Sequence, residues 1–211
     1  MKKIVVLFTL VALMVLSLSC SASGAGQAYF DYIANGEYAE GDLSGFNLGL
    51  DYKVDSFKFG VDYLVNGEIE DIQDYDEMHV KIGFKATENI FITLSMFDNN
   101  NKYSVYSYYI EESANGLLLG ADISYDFSDQ FTFEGSLGIS VTGECEYSYS
   151  ILGERNSGNP DADLTLLKLK LIYNVSRNMG ISLGYNDISI DPERSASYDI
   201  NYMTLGATYK F

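Results

Sequence analysis

The sequence predicts an all-β protein, a single antiparallel up-and-down β-barrel of ten strands, and three observations predict it. Apolar and polar residues alternate with a period of two through ten segments, and no segment keeps the helical period. The connections between segments are short and long by turns, as in a meander of hairpins. The last stretch, Tyr198–Phe211, carries Met203, Leu205, Ala207, Tyr209 and Phe211 on one face and Thr204, Gly206, Thr208 and Lys210 on the other. A strand ending on a bare aromatic suits a closed sheet, whose last strand must pair with its first.

Residues 1–25 stand outside that fold as a cleaved signal peptide. Met1–Lys3 supply a positive n-region. Ile4–Leu18 form an apolar run too short for a comfortable transmembrane helix and suited to a signal h-region. The small residues that follow allow cleavage after Ser23, Gly24, Ala25 or Ala28. Ser17-Leu18-Ser19-Cys20 is a faint match to a lipoprotein box, with lipidation of Cys20 as a rival reading. The barrel is then residues 26–211, one domain. A net charge of −17 with no basic cluster excludes nucleic acid as a partner. Cys145, the one thiol after the leader, can form neither an internal disulfide nor a cysteine metal site, and no cofactor or metal is expected.

The strands follow in order. Ala28–Ala34 is short, with Ala28, Phe30, Tyr32 and Ala34 opposite Tyr29, Asp31 and Ile33, and its parity is ambiguous. The second shows Phe46, Leu48, Leu50, Tyr52 and Val54; after Asp55-Ser56 the third shows Phe57, Phe59, Val61, Tyr63 and Val65, a tight hairpin. The fourth carries Met78 to Ala86, and Thr87-Glu88-Asn89 leads to a fifth from Ile90 to Met96. The sixth runs from Leu117 to Phe127, and Ser128-Asp129-Gln130 turns it into a seventh from Phe131 to Val141. The eighth, Leu167 to Val175, joins the ninth, Met179 to Tyr185, through Ser176-Arg177-Asn178. The tenth is the terminal stretch. The long connections are Asn35–Gly45, Asn66–Glu77, Asp98–Gly116, Gly143–Asp163 and Asn186–Tyr198, and both prolines, Pro160 and Pro192, fall in them, where no ladder hydrogen bond is lost. Lys102–Ile110 and Cys145–Leu152 also read as extended. Counting them as spanning strands gives twelve; their lack of a clean apolar face favours ten, with both as hairpin extensions.

Which face is inside follows from the polar one. It carries Asp31, Asp51, Asp62, Asp122, Asp126 and Glu134 against Lys53, Lys58, Lys81, Lys85, Lys168, Lys170 and Lys210, nearly balanced in sign, while the apolar positions carry no charge. Gly49, Gly60, Gly83, Gly120, Gly138, Gly180, Gly184 and Gly206 share the polar face. Glycine weakens a solvated strand without gain, but in a narrow lumen it makes room for neighbouring lysines and carboxylates. The barrel is therefore expected to be transmembrane, oily side out, with Tyr52, Phe57, Phe127, Phe131, Tyr173 and Tyr209 as an interface girdle. The inverted arrangement, a soluble lipocalin-like barrel, is the alternative.

Thr204–Phe211, TLGATYKF, resembles the C-terminal assembly signal of bacterial outer-membrane β-barrels: polar Thr204, Gly206 two positions on, and aromatics at Tyr209 and Phe211. The chain thus resembles the small OmpA/OmpX-like and porin-like barrels. The resemblance implies the outer membrane of a Gram-negative-type bacterium, both termini periplasmic, long loops outside, and partners in outer-membrane lipid and in the barrel assembly machinery, which reads the C-terminal strand. It leaves open structural, adhesive and narrow-channel roles.

The candidate sites are read accordingly. His79, the one histidine, faces the lumen near Lys81 by parity. A lone imidazole can be a catalytic base, but with no evident nucleophile a lumen hydrogen bond is expected and no enzyme. The acidic stretch Glu68–Glu77 lacks the ordered spacing of a calcium loop and reads as solvated surface. Tyr103–Tyr109 is either an aromatic contact surface for an extracellular partner or stacking within a hairpin. Cys145 shares the outward parity of Val141 and reads as inert. The expected function is a non-enzymatic structural or surface-interaction protein with a narrow, side-chain-filled lumen and acidic outer loops; a small porin-like channel for small solutes or cations is the alternative.

Overall fold

A computed structural model describes residues 24–38, 41–69, 73–105, 108–151, 154–193 and 196–211. The leader and Cys20 lie outside the described residues. Eleven strands make one antiparallel sheet: β1 (Ala25–Tyr38), β2 (Gly41–Val54), β3 (Phe57–Ile69), β4 (Gln73–Lys85), β5 (Ile90–Val105), β6 (Tyr108–Ser128), β7 (Phe131–Ile151), β8 (Glu154–Gly158), β9 (Ala162–Asn174), β10 (Met179–Pro192) and β11 (Tyr198–Lys210). Each strand from β1 to β7 pairs with the next, β7 continues to β9, β10 and β11, and β11 returns to β1. Ten strands thus close a barrel. β8 pairs only with the far end of β7, beyond the closed wall.

The short turns have a shared chemistry. Ser128 Oγ accepts the Gln130 N–H, and Thr87 Oγ1 accepts that of Asn89. Ser176 Oγ accepts the N–H groups of Asn178 and Met179. In each, the first hydroxyl reverses the chain by capping donors the ladder cannot reach. The β2–β3 turn instead places Asp55 at φ 51°, a left-handed conformation that Asp tolerates.

The strands overrun a membrane's thickness. β6 and β7 have 21 residues each, where a tilted strand crosses hydrocarbon in about 9–11. Most of the long connections are therefore ladder, not loop. Lys102–Val105 continues β5, Tyr108–Ile110 begins β6 and Cys145–Ile151 ends β7, paired as hairpin extensions. Twelve spanning strands are excluded for this reason.

The exterior is oily. Phe84, Met96, Leu119, Phe127, Ile139, Val175, Ile181 and Leu205 are exposed, while buried charge lies within. A charged interior and an apolar exterior need hydrocarbon around them, so the lipocalin-like arrangement does not hold. Of the girdle aromatics, Phe57, Phe127, Phe131, Tyr173 and Tyr209 are exposed near the short turns. Tyr52 is the exception, buried with its ring against Gly24.

Bulges reset the parity of several strands above the membrane band. In β7, Leu118 faces Ser140 but Leu117 faces Thr142, so Val141 is an extra residue and every later side chain changes face. Cys145 is accordingly buried inside, not outward as the unbroken period implied. Ala34 does the same in β1, and the Leu64–Gly67 step does so in β3.

On five of the barrel strands the interior changes character at a similar level, while β5 keeps buried Asn99 and Asn101 beyond Phe97. Moving away from the short turns, the inward row passes from Asp31 to Ile33 on β1, Asp62 to Leu64 on β3 and Lys168 to Leu166 on β9. It passes likewise from Asn186 to Ile188 on β10 and Thr204 to Tyr202 on β11. Ile33, Leu64, Phe97, Leu118, Leu164, Leu166, Ile188, Ile190, Ile200 and Tyr202 join one buried apolar cluster above the charged layer.

Candidate functional site

The charged layer is built from three ion-pair groups on facing walls. Lys58 on β3 and Lys81 on β4 converge on Asp122 of β6, at 2.6 and 3.1 Å, with Asp51 of β2 at 3.5 and 3.7 Å. Ser136 donates its hydroxyl to the other Asp122 oxygen at 2.6 Å. Lys168 on β9 reaches across to Asp62 at 3.5 Å and Glu77 at 3.3 Å. Lys170 pairs with Asp31 at 2.7 Å, and Ser182 donates to the same carboxylate. The Lys170 ammonium also sits 3.4 Å from the centre of the Tyr29 ring, a cation–π contact inside the wall.

Glu77 is the residue the sequence reading misplaced. Its acid-rich neighbours read as solvated surface, but it is buried on β4 and accepts the hydroxyls of Tyr75 and Tyr202 besides the Lys168 contact. Counting inward from His79 in steps of two would have placed Glu77 and Tyr75 in the lumen. Their acid-rich setting hid that signal. Glu77 joins the two storeys, since both tyrosine rings belong to the apolar cluster. In the rest of the acidic stretch, Glu68 and Asp74 are exposed and residues 70–72 lie outside the described ones.

The other expected lumen residues divide by depth. His79 is buried with Nδ1 3.4 Å from an Asp62 oxygen. Lys53, Glu134 and Lys210 are half-buried near the short turns: Lys53 lies over Phe91, Gln27 donates to Glu134, and Lys210 donates to Asn174. Lys85 and Asp126, expected inside, are exposed at the rim, where the strands end and water replaces the opposite wall. Asp126 accepts the Thr132 hydroxyl there.

Little space remains. The cavity among Tyr29, Asp31, Asp51, Lys58, Glu134 and Lys170 is about 50 Å³, room for only a few ordered waters. Above it the lumen is closed by Leu, Ile, Phe and Tyr side chains. Among the described residues no group of His, Cys, Asp and Glu is arranged to hold a metal. No helix is long and apolar enough to cross a membrane, which says nothing of a barrel.

Solved structures share this architecture. The chain is similar to the outer-membrane protease OmpT of Escherichia coli, with a TM-score of 0.52 and 11% identity over 90% of this chain and 94% of that one. It is also similar to Ail, the attachment invasion locus protein of Yersinia pestis, at TM-score 0.46 and 10% identity, over 90% of this chain and 100% of that one. For Neisserial surface protein A the values are 0.42 and 11%, over 90% and 98%. This is the outer-membrane β-barrel fold. No protein-family model and no curated protein matches the sequence.

In such a barrel the terminal strand is the closing seam. β11 pairs with β1 along its length, and Phe211 exchanges both backbone hydrogen bonds with Gly26. Thr204 is buried and Tyr209 and Phe211 are exposed. Gly206 lies opposite Asp31 in register, and the Asp31 carboxylate and the Phe30 carbonyl occupy the space where a Cβ would sit. Part of the expected assembly pattern therefore has a structural use, seating a buried acid at the seam. Of the Tyr-rich stretch, the side chains of residues 103–108 lie outside the described ones; Tyr109 donates its hydroxyl to Glu111, which also pairs with Lys102. The Tyr109 hydroxyl first, and Lys102 after it, hold the Glu111 carboxyl below its usual value.

Proposed function

We propose that the chain is an integral outer-membrane barrel of a Gram-negative-type bacterium that acts through its long-connection end, as a structural or surface-interaction protein, without catalysis or transport. The observation that carries this reading is the filled lumen: paired charges below, an apolar cluster above, and a residual cavity of about 50 Å³ between charged walls. The ladder that rises past the membrane band is the other support, since it builds surface that a pore does not need. Both termini are periplasmic in this reading, and β11 is the strand the assembly machinery engages. OmpT is a protease, but here the one imidazole is buried in mid-lumen beside Asp62, a carboxylate that Lys168 also contacts, where a polypeptide has no access.

Two measurements test it. The protein should fractionate with outer membranes and run at different mobilities before and after boiling; recovery as a soluble periplasmic protein overturns the location. In a planar bilayer the wild type should show no stable conductance steps, and Lys85→Ala should be equally silent because Lys85 lies at the rim. Porin-like steps would establish the channel reading instead.

A further inference from the structure

The wall that faces lipid carries a groove. On the outward face of β4 to β7, where these strands leave the membrane band, a concavity of about 650 Å³ is lined by Met78, Val80, Met96, Asp98, Leu117 and Glu144. Met78, Val80 and Leu117 are half-buried along it, whereas outward side chains lower on the same wall, such as Leu94, Leu119 and Ile139, are exposed. The lower part is an apolar trough with two methionines, whose unbranched side chains adapt to a flexible neighbour.

The upper end is acidic. Asp98 is exposed and stands between Met78 and Asn115 in register, both uncharged, and Asn115 in turn faces Glu144. Counting from the short turn at Ile90, Asp98 falls where a strand of about 9–11 residues leaves hydrocarbon, the level of lipid headgroups. Lys102, the one cation of β5, is held by Glu111 at 3.2 Å. Asn115 and Thr142 bring an amide N–H and a hydroxyl to the same end of the groove. A carboxylate with donors beside it matches a zwitterion, whose ammonium meets the carboxylate and whose phosphate oxygens accept from the amide and the hydroxyl. An anionic head without an amine meets repulsion there instead. Asp98 and Glu144 are two strands apart, and among the described residues no group of His, Cys, Asp and Glu is arranged to hold a metal, so the fit is to an ammonium rather than to a shared divalent ion.

We propose that this groove holds one amine-bearing phospholipid of the phosphatidylethanolamine class. An acyl chain lies along Val80, Met78, Met96 and Leu117, and the ammonium sits on Asp98. The trough alone does not select, because hydrocarbon surrounds the wall everywhere and lipid tails are as apolar as leucine. The acidic end selects the head. The inference goes beyond the surface role proposed above and rests only on the barrel being set in lipid; gel mobility reports the folded barrel, and lipid preference reports the groove.

The test uses the full barrel in a non-ionic maltoside detergent containing EDTA, equilibrated with equal amounts of phosphatidylethanolamine and phosphatidylglycerol of the same acyl chains. Native mass spectrometry then counts the lipid retained. A single phosphatidylethanolamine adduct should dominate. Asp98→Asn should lower that adduct about fivefold relative to the phosphatidylglycerol one, the size of one exposed ion pair, while the unboiled gel mobility stays that of the folded barrel. Asp187→Asn, on the outward face of β10 away from the groove, should leave it unchanged. Equal adducts of the two lipids on the unaltered protein, a dominant phosphatidylglycerol adduct, or equal effects of the two substitutions overturn the proposal. The comparison of lipids on the unaltered protein decides the matter even where a variant fails to fold.

Discussion

Asp122→Ala should cost the barrel about 3–5 kcal/mol, the range for breaking a buried ion pair by removing one partner. Asp122 receives Lys58, Lys81 and the Ser136 hydroxyl, all within 3.1 Å. Without it the ion pairs left to both ammonium groups, among the described residues, are the longer ones to Asp51, whose oxygens stand at 3.5 and 3.7 Å. Neither lysine can reach bulk water, because each is buried between facing walls. Lys85→Ala, at the exposed rim, should change stability by no more than about 0.5 kcal/mol. Urea unfolding of vesicle-reconstituted protein, followed by tyrosine fluorescence because the chain has no tryptophan, measures both. Equal losses in the two variants would mean that the charged layer is not the stabilising element described above.

Much of the fold was legible because the barrel wall repeats one rule. Alternation located all ten closing strands, and connections of two or three residues marked the tight hairpins. What escaped the sequence reading has two physical sources. The first is the bulge: one extra residue at Val141 leaves composition and propensity unchanged yet turns Cys145 from lipid to core. The second is that the inward row is polar only as far as water and paired charge are the better filling. Ile200 and Tyr202 continue the inward parity of Thr204, and Ile188 that of Asn186, but two apolar residues on a polar row resemble a frayed strand end. Only the ring of neighbours shows them to be one layer. Glu77 was lost for the converse reason, an inward acid among acids that face water.

The closing seam should be the least tolerant place in the wall. At Gly206 a Cβ would meet the Asp31 carboxylate and the Phe30 carbonyl, so Gly206→Ala must move either a charged group already committed to Lys170 and Ser182 or the backbone of β1. Overpacking costs about 1–3 kcal/mol, and displacing Asp31 adds the loss of its ion pair. Because the pairing of β1 with β11, the first and last strands in sequence, is what closes the barrel, the same shift should also slow closure, read as a smaller fraction of folded mobility on unboiled gels after refolding into lipid. The cause can be separated with Asp31→Ala, which leaves Lys170 without its carboxylate but clears part of the space. Gly206→Ala should cost less in that background than in the wild type, with a coupling of about 0.5–3 kcal/mol, the range for residues in direct contact. Strict additivity would show that Asp31 and Gly206 do not share the seam's free volume, and a fully stable Gly206→Ala barrel would show that β1 gives way freely.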